Sequence, residues 1–106
     1  MNTKSKTKRL LEGISGGPLT IGELLWSIRE GEELSMVDFA EKLGISRSHL
    51  NDIEKGRKPV SPQKAAEYAE ILGYSEQQFI RLALQDLLNR NALDYELDIT
   101  KRRKGA

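Results

Sequence analysis

The sequence predicts an all-α fold of five short helices, and three observations carry that prediction. Thr20, Ser35, Ser46, Ser61 and Ser75 each stand just before a stretch with helical spacing, where a side-chain oxygen can accept from the free N–H groups of a first turn. Apolar residues then recur three and four positions apart. Gly31, Gly44 and Gly73 end three of the stretches.

Taken in order, Thr20 with Glu23 forms a capping box, and Ile21, Leu24, Leu25 and Ile28 share one face of a first helix that runs to about Glu30 and ends at Gly31. Ser35 caps a second helix with Asp38 at its third position, while Leu34 can staple onto Phe39. Val37, Phe39, Ala40 and Leu43 are its apolar positions, and Gly44 supplies the left-handed residue that turns the chain sharply. Ile45 plugs the corner. Ser46 caps a third helix in which Leu50 and Ile53 point inward, leaving Arg47, Ser48, Asn51, Asp52 and Lys55 outside. Ser61-Pro62 is a cap followed by proline at the first helical position, and Ala65, Ala66, Tyr68, Ala69 and Leu72 follow before Gly73. Ser75 with Gln78 opens a fifth helix.

The second and third helices have the form of a helix-turn-helix, the unit with which small proteins read the DNA major groove. Ala40 fits the role for a steric reason, since helices crossing steeply over a short turn meet closely there. Two amphipathic helices joined by a glycine are common in ordinary helical pairs. The joint spacing of Phe39, Ala40, Leu43, Gly44, Ile45, Leu50 and Ile53, with the basic run after Glu54, favours the DNA-reading unit.

Over about residues 20 to 74 the sequence resembles the Cro/CI-type (XRE-family) DNA-binding domain of phage repressors and bacterial regulators, which implies a five-helix lambda-repressor-like fold. By that resemblance, Arg29 and Glu54 match positions that form a partly buried ion pair joining the first helix to the recognition helix. Gly56-Arg57-Lys58-Pro59 matches the loop that lies along the DNA backbone. Met36 departs from the family, which often has a phosphate-touching glutamine there, and leaves that contact unsupported.

For base reading, Arg47 near the start of the third helix suits guanine O6 and N7, Asn51 suits adenine, Ser48 suits several bases, and Asp52 can accept from cytosine N4. Asn51 and Asp52 can equally serve capping or solubility. Ser46, Lys55, Arg57 and Lys58 are the candidates for phosphate, setting register without reading sequence.

Charge is segregated. Lys4, Lys6, Lys8 and Arg9 at one end and the run Lys101, Arg102, Arg103 and Lys104 at the other hold eight of the 17 basic residues and none of the 16 acidic ones, so the body between them carries net −7. Within that acidic body, residues 46 to 64 are locally basic, with Arg47, Lys55, Arg57, Lys58 and Lys64 against Asp52 and Glu54. Positive charge thus sits where the fold would meet phosphate.

The expected organisation is a flexible basic arm over residues 1–19, the helix-turn-helix domain over 20–74, the fifth helix over 75–92, and a C-terminal strand or disordered basic tail over 93–106. Apolar residues of the fifth helix cover an arc of roughly 240°, wider than the roughly 100° that one core contact needs. Phe79, Ile80, Leu84, Leu87 and Leu88 are therefore expected at a two-fold homodimer contact, the alternative being a deeply buried helix. Residues 95–100 alternate apolar and polar, as a strand does, and would pair with a mate or another protein; otherwise the helix frays into a tail.

Other function classes find little support. Cysteine is absent and His49 is the only histidine, so neither a disulfide framework nor a metal site is expected. Ser48 and His49 are neighbours, which point apart on a helix and make no nucleophile and base. No cofactor and no enzymatic activity are expected. No apolar run nears the roughly 20 residues of a membrane span, and no signal peptide is recognisable, so a cytoplasmic protein is expected. Three functions remain: a dimeric DNA-binding repressor; an antitoxin resembling the HigA or HipB type, binding its operator and a toxin protein through the tail or arm; and a protein-interaction module without DNA binding.

Overall fold

In the computed structural model, which describes residues 19–103, every expected helix start carries its cap. Thr20, Ser35, Ser46, Ser61 and Ser75 each accept a hydrogen bond from the backbone N–H three residues on, at 3.0 to 3.2 Å. The helices they open are α1 (Ile21–Gly31), α2 (Met36–Leu43), α3 (Arg47–Glu54), α4 (Pro62–Leu72) and α5 (Glu76–Arg90). The fold is all-α, with no strand among the described residues. None of these helices is long and apolar enough to cross a membrane. The expected basic arm falls, up to residue 18, outside the described residues, as does Lys104.

The chain forms two compact units, one ending at Val60 and the other beginning at Ser61. In the first, α3 packs against both α1 and α2. Its core is the set of spaced apolar residues: Ile21, Leu24, Leu25 and Ile28 from α1, Phe39, Ala40 and Leu43 from α2, and Leu50 and Ile53 from α3. Val37 departs from expectation, since it faces out.

Gly31 does not end α1 by itself but is its last helical residue. The left-handed position falls at Glu33, with φ of 55°, and Leu34 N–H then reaches the Arg29 carbonyl at 3.1 Å. Two further residues are needed before the chain reverses, so the turn closes over Arg29, which donates to the Leu34 carbonyl at 3.2 Å. Gly44, at φ of 74°, makes the turn between α2 and α3 as its sequence position requires.

In the second unit α4 and α5 form a hairpin over Gly73. Ala65, Tyr68, Ala69 and Leu72 pack against Phe79, Leu82 and Ala83 in its core. Phe79, expected at a dimer contact, is instead fully buried with its ring stacked 6.0 Å from that of Tyr74. It lies at the start of α5, where the hairpin closes. Ile80, Leu84 and Leu88 are half-buried, and Leu87 is exposed.

The alternation over residues 95–100 produces no strand. After a left-handed Ala92, the segment runs back along α5: Gln85 donates to the Tyr95 carbonyl at 2.8 Å and accepts from Leu97 N–H at 2.6 Å, and Gln77 donates to the Ile99 carbonyl at 2.9 Å. A strand needs a partner edge. Here the glutamine side chains supply the hydrogen bonds, and the alternation survives as half-buried Leu97 and Ile99 between exposed neighbours.

Candidate nucleic-acid interface

The outer face of α3 follows from its inner one. Leu50 and Ile53 are buried, so Arg47, Ser48, Asn51, Asp52 and Lys55, spaced by one and four residues, form a continuous stripe on the opposite side. Arg47, Ser48 and Lys55 are exposed, and Asn51 and Asp52 are half-buried. Among the described residues, the side chains of Arg47, Ser48, Asn51 and Lys55 make no hydrogen bond or ion pair with the protein. Ser46 Oγ accepts from His49 N–H at 3.0 Å, which leaves its O–H free to donate outward.

Two contacts anchor the far end of α3 to α1. Arg29 Nε and Nη2 donate to the two carboxylate oxygens of Glu54 at 2.8 and 3.0 Å, and the Glu54 side chain is only 2% exposed. This bidentate bond raises the pKa of Arg29 against the opposing effect of burial. Two turns earlier in α1, the backbone approaches α3 so closely that a β-carbon on Gly22 would collide with the Ile53 carbonyl oxygen.

Ser46 caps the start of α3, and the other phosphate candidates, Lys55, Arg57 and Lys58, follow its end in a loop that Asp52 organises. Its backbone carbonyl accepts from Arg57 N–H at 2.8 Å and Lys58 N–H at 3.2 Å, a reversal allowed by Gly56 at φ of 77°. Its carboxylate accepts from Arg57 Nε at 2.9 Å and lies 3.6 Å from Lys58 Nζ. The Arg57 hydrogen bond, helped by the charges of Arg57 and Lys58, holds the Asp52 carboxyl below the usual carboxylate range, against some desolvation. Asp52, a candidate acceptor for cytosine or a residue of capping or solubility alone, here holds two cations against its carboxylate.

Sequence reasoning missed two of these features. A glycine one residue into a helix has no merit in helix propensity, so Gly22 was visible as an unexplained cost. The acid Asp52, five and six residues before two cations and across a glycine, was the other signal. Neither can be converted into a contact without knowing how α1 crosses α3 and how the loop folds back.

A model of the helix-turn-helix family matches residues 27–79 of the chain. The chain is also similar to the immunity repressor protein of Bacillus phage phi105, with 32% identity over 88 residues. That alignment takes in 79% of this chain, which spans 60% of the repressor's length. No solved structure matches.

Proposed function

The chain belongs to the Cro/CI-type (XRE-family) helix-turn-helix regulators, DNA-binding proteins of transcription with a lambda-repressor-like fold, and from that premise we propose that it is a repressor reading a palindromic operator as a homodimer. The observation that carries this reading is the stripe on α3. Arg47, Ser48 and Asn51 are held outward on a helix fixed at both ends, with their hydrogen-bonding groups uncommitted.

In this reading Arg47 pairs with guanine, Asn51 with adenine, and Ser48 with any of several bases. Ser46, Lys55, Arg57 and Lys58 hold phosphates and set the register. Domain roles follow: residues 20–74 bind DNA, and 75–92 supply the dimer contact through Ile80, Leu84, Leu87 and Leu88, without the buried Phe79. Two recognition helices so joined would sit about one DNA turn apart, roughly 34 Å.

Selection from random duplex oligonucleotides tests the proposal. Recovery of a palindrome with half-sites one turn apart supports both DNA reading and dimerisation, whereas absence of salt-sensitive binding to any duplex would leave a protein-interaction module. A second reading, an antitoxin that also binds a toxin protein, is favoured by one observation: Leu93 and Tyr95 stay exposed, at 47% and 70%, as does Leu87. Copurification of the product of a small adjacent reading frame would support it.

A further inference from the structure

The position of Asp52 is odd for a helix that binds DNA. A carboxylate in the last turn of α3 is opposed by the negative end of the helix dipole, and it lies within the stripe that would face negatively charged DNA. Helix stability does not account for it, and neither does attraction to DNA. Its contacts do. Of the four cationic side chains at this surface, Arg47 and Lys55 are uncommitted among the described residues, while Arg57 and Lys58 both converge on Asp52.

Resting on the reading of α3 as the DNA-reading helix, we propose that Asp52 is a specificity-determining residue that competes with phosphate for Arg57 and Lys58. Exposed ion pairs of this kind are weak and exchangeable, so a phosphate correctly placed beside the loop displaces the carboxylate. On random duplex, where α3 gains no base contacts to hold it in register, the two cations stay with Asp52 and add little to the affinity. On the right sequence, base contacts seat α3, the loop meets its phosphates, and Arg57 and Lys58 change partners. The freed carboxylate then stands at the groove, where a cytosine amino group can donate to it. Asp52 thereby couples backbone contacts to base reading, withholding sequence-independent affinity until sequence has been read.

The test compares the whole protein with Asp52→Asn on a scrambled duplex and on the duplex recovered by selection, over a range of salt. Asparagine keeps the backbone carbonyl that accepts from Arg57 and Lys58, so the loop path persists; a thermal melt checks folding, and Asp52→Ser serves if the first variant is unstable. Expected is an increase of about tenfold or more in scrambled-duplex affinity, with a salt slope steeper by roughly one to two, as one or two further phosphate contacts dictate. Affinity for the selected duplex should rise less, so the specificity ratio falls. In an Arg57→Gln, Lys58→Gln background the gain should disappear. An unchanged scrambled-duplex slope in Asp52→Asn overturns the proposal, as does a gain that persists in the double-glutamine background, which would be simple loss of a negative charge. Wild-type protein that binds no duplex would instead overturn the DNA-binding reading beneath it.

Discussion

Arg29 and Glu54 stand 25 residues apart in the sequence and meet in two parallel hydrogen bonds of 2.8 and 3.0 Å, with the carboxylate almost wholly shielded from solvent. The pair ties the C-terminal end of α3 to α1 at the point where α3 passes into the basic loop. Removing the arginine strands a buried carboxylate, whereas removing the glutamate leaves a guanidinium with partial access to water and a remaining bond to the Leu34 carbonyl. Arg29→Ala should therefore destabilise by about 2 to 4 kcal/mol and Glu54→Ala by less, in urea or thermal unfolding. Equal, negligible losses would show that the pair contributes nothing.

Gly22 offers a test in which two effects have opposite sign. Helix propensity alone favours Gly22→Ala by up to about 1 kcal/mol. The new β-carbon, however, runs into the backbone of Ile53, which cannot rotate away as a side chain could. The clash should win, lowering stability by about 1 to 3 kcal/mol and displacing α3, so DNA affinity falls as well. A raised melting temperature would contradict the close approach.

Glu33 adopts a left-handed backbone that costs a residue with a β-carbon about 1 to 2 kcal/mol. Replacement by glycine relieves this but adds freedom to the unfolded chain, worth up to about 1 kcal/mol in the other direction. Glu33→Gly, and Glu33→Asn with less entropy cost, should accordingly raise stability by several tenths of a kcal/mol, read as a small upward shift in the denaturation midpoint.

Base reading and phosphate holding separate in binding measurements. Arg47→Ala should lose about 1 to 3 kcal/mol of discrimination at one base pair of the selected duplex, with little change on scrambled DNA. Lys58→Ala should weaken binding to the selected duplex and its point variants alike, and lower the salt slope by about one. Equal losses on both duplexes for Arg47→Ala would remove that residue from base reading.

The Asp52 carboxyl should titrate below the usual carboxylate range in an NMR pH series, chiefly because Arg57 donates to it. Its folded pKa is depressed, so the loop contact contributes its stability above the ordinary carboxylate range and loses it as pH falls through the depressed value. Arg57→Gln should move the titration back up. A midpoint indifferent to that substitution would mean the two side chains do not meet in solution.

The sequence by itself determined the helices and their caps. Hydroxyl residues at Thr20, Ser35, Ser46, Ser61 and Ser75, the spacing of apolar residues, and glycines at 44 and 73 act within a few positions of themselves, and such local rules need no knowledge of the rest of the chain. They also determined which face of α3 points outward. The Arg29 and Glu54 positions were legible only through resemblance to a family, since nothing local links residues so far apart. Tertiary structure alone decided the crossing at Gly22, the burial of Phe79, the docking of residues 95–99 on the glutamines of α5, and the engagement of Asp52 by Arg57 and Lys58. Each depends on where a second element lies, which sets whether an apolar side chain is covered, whether an extended backbone finds an edge or a helix, and whether a carboxylate is free. For the proposed DNA surface this is the difference between a row of suitable side chains and a row in which some are uncommitted and others are tied to one another.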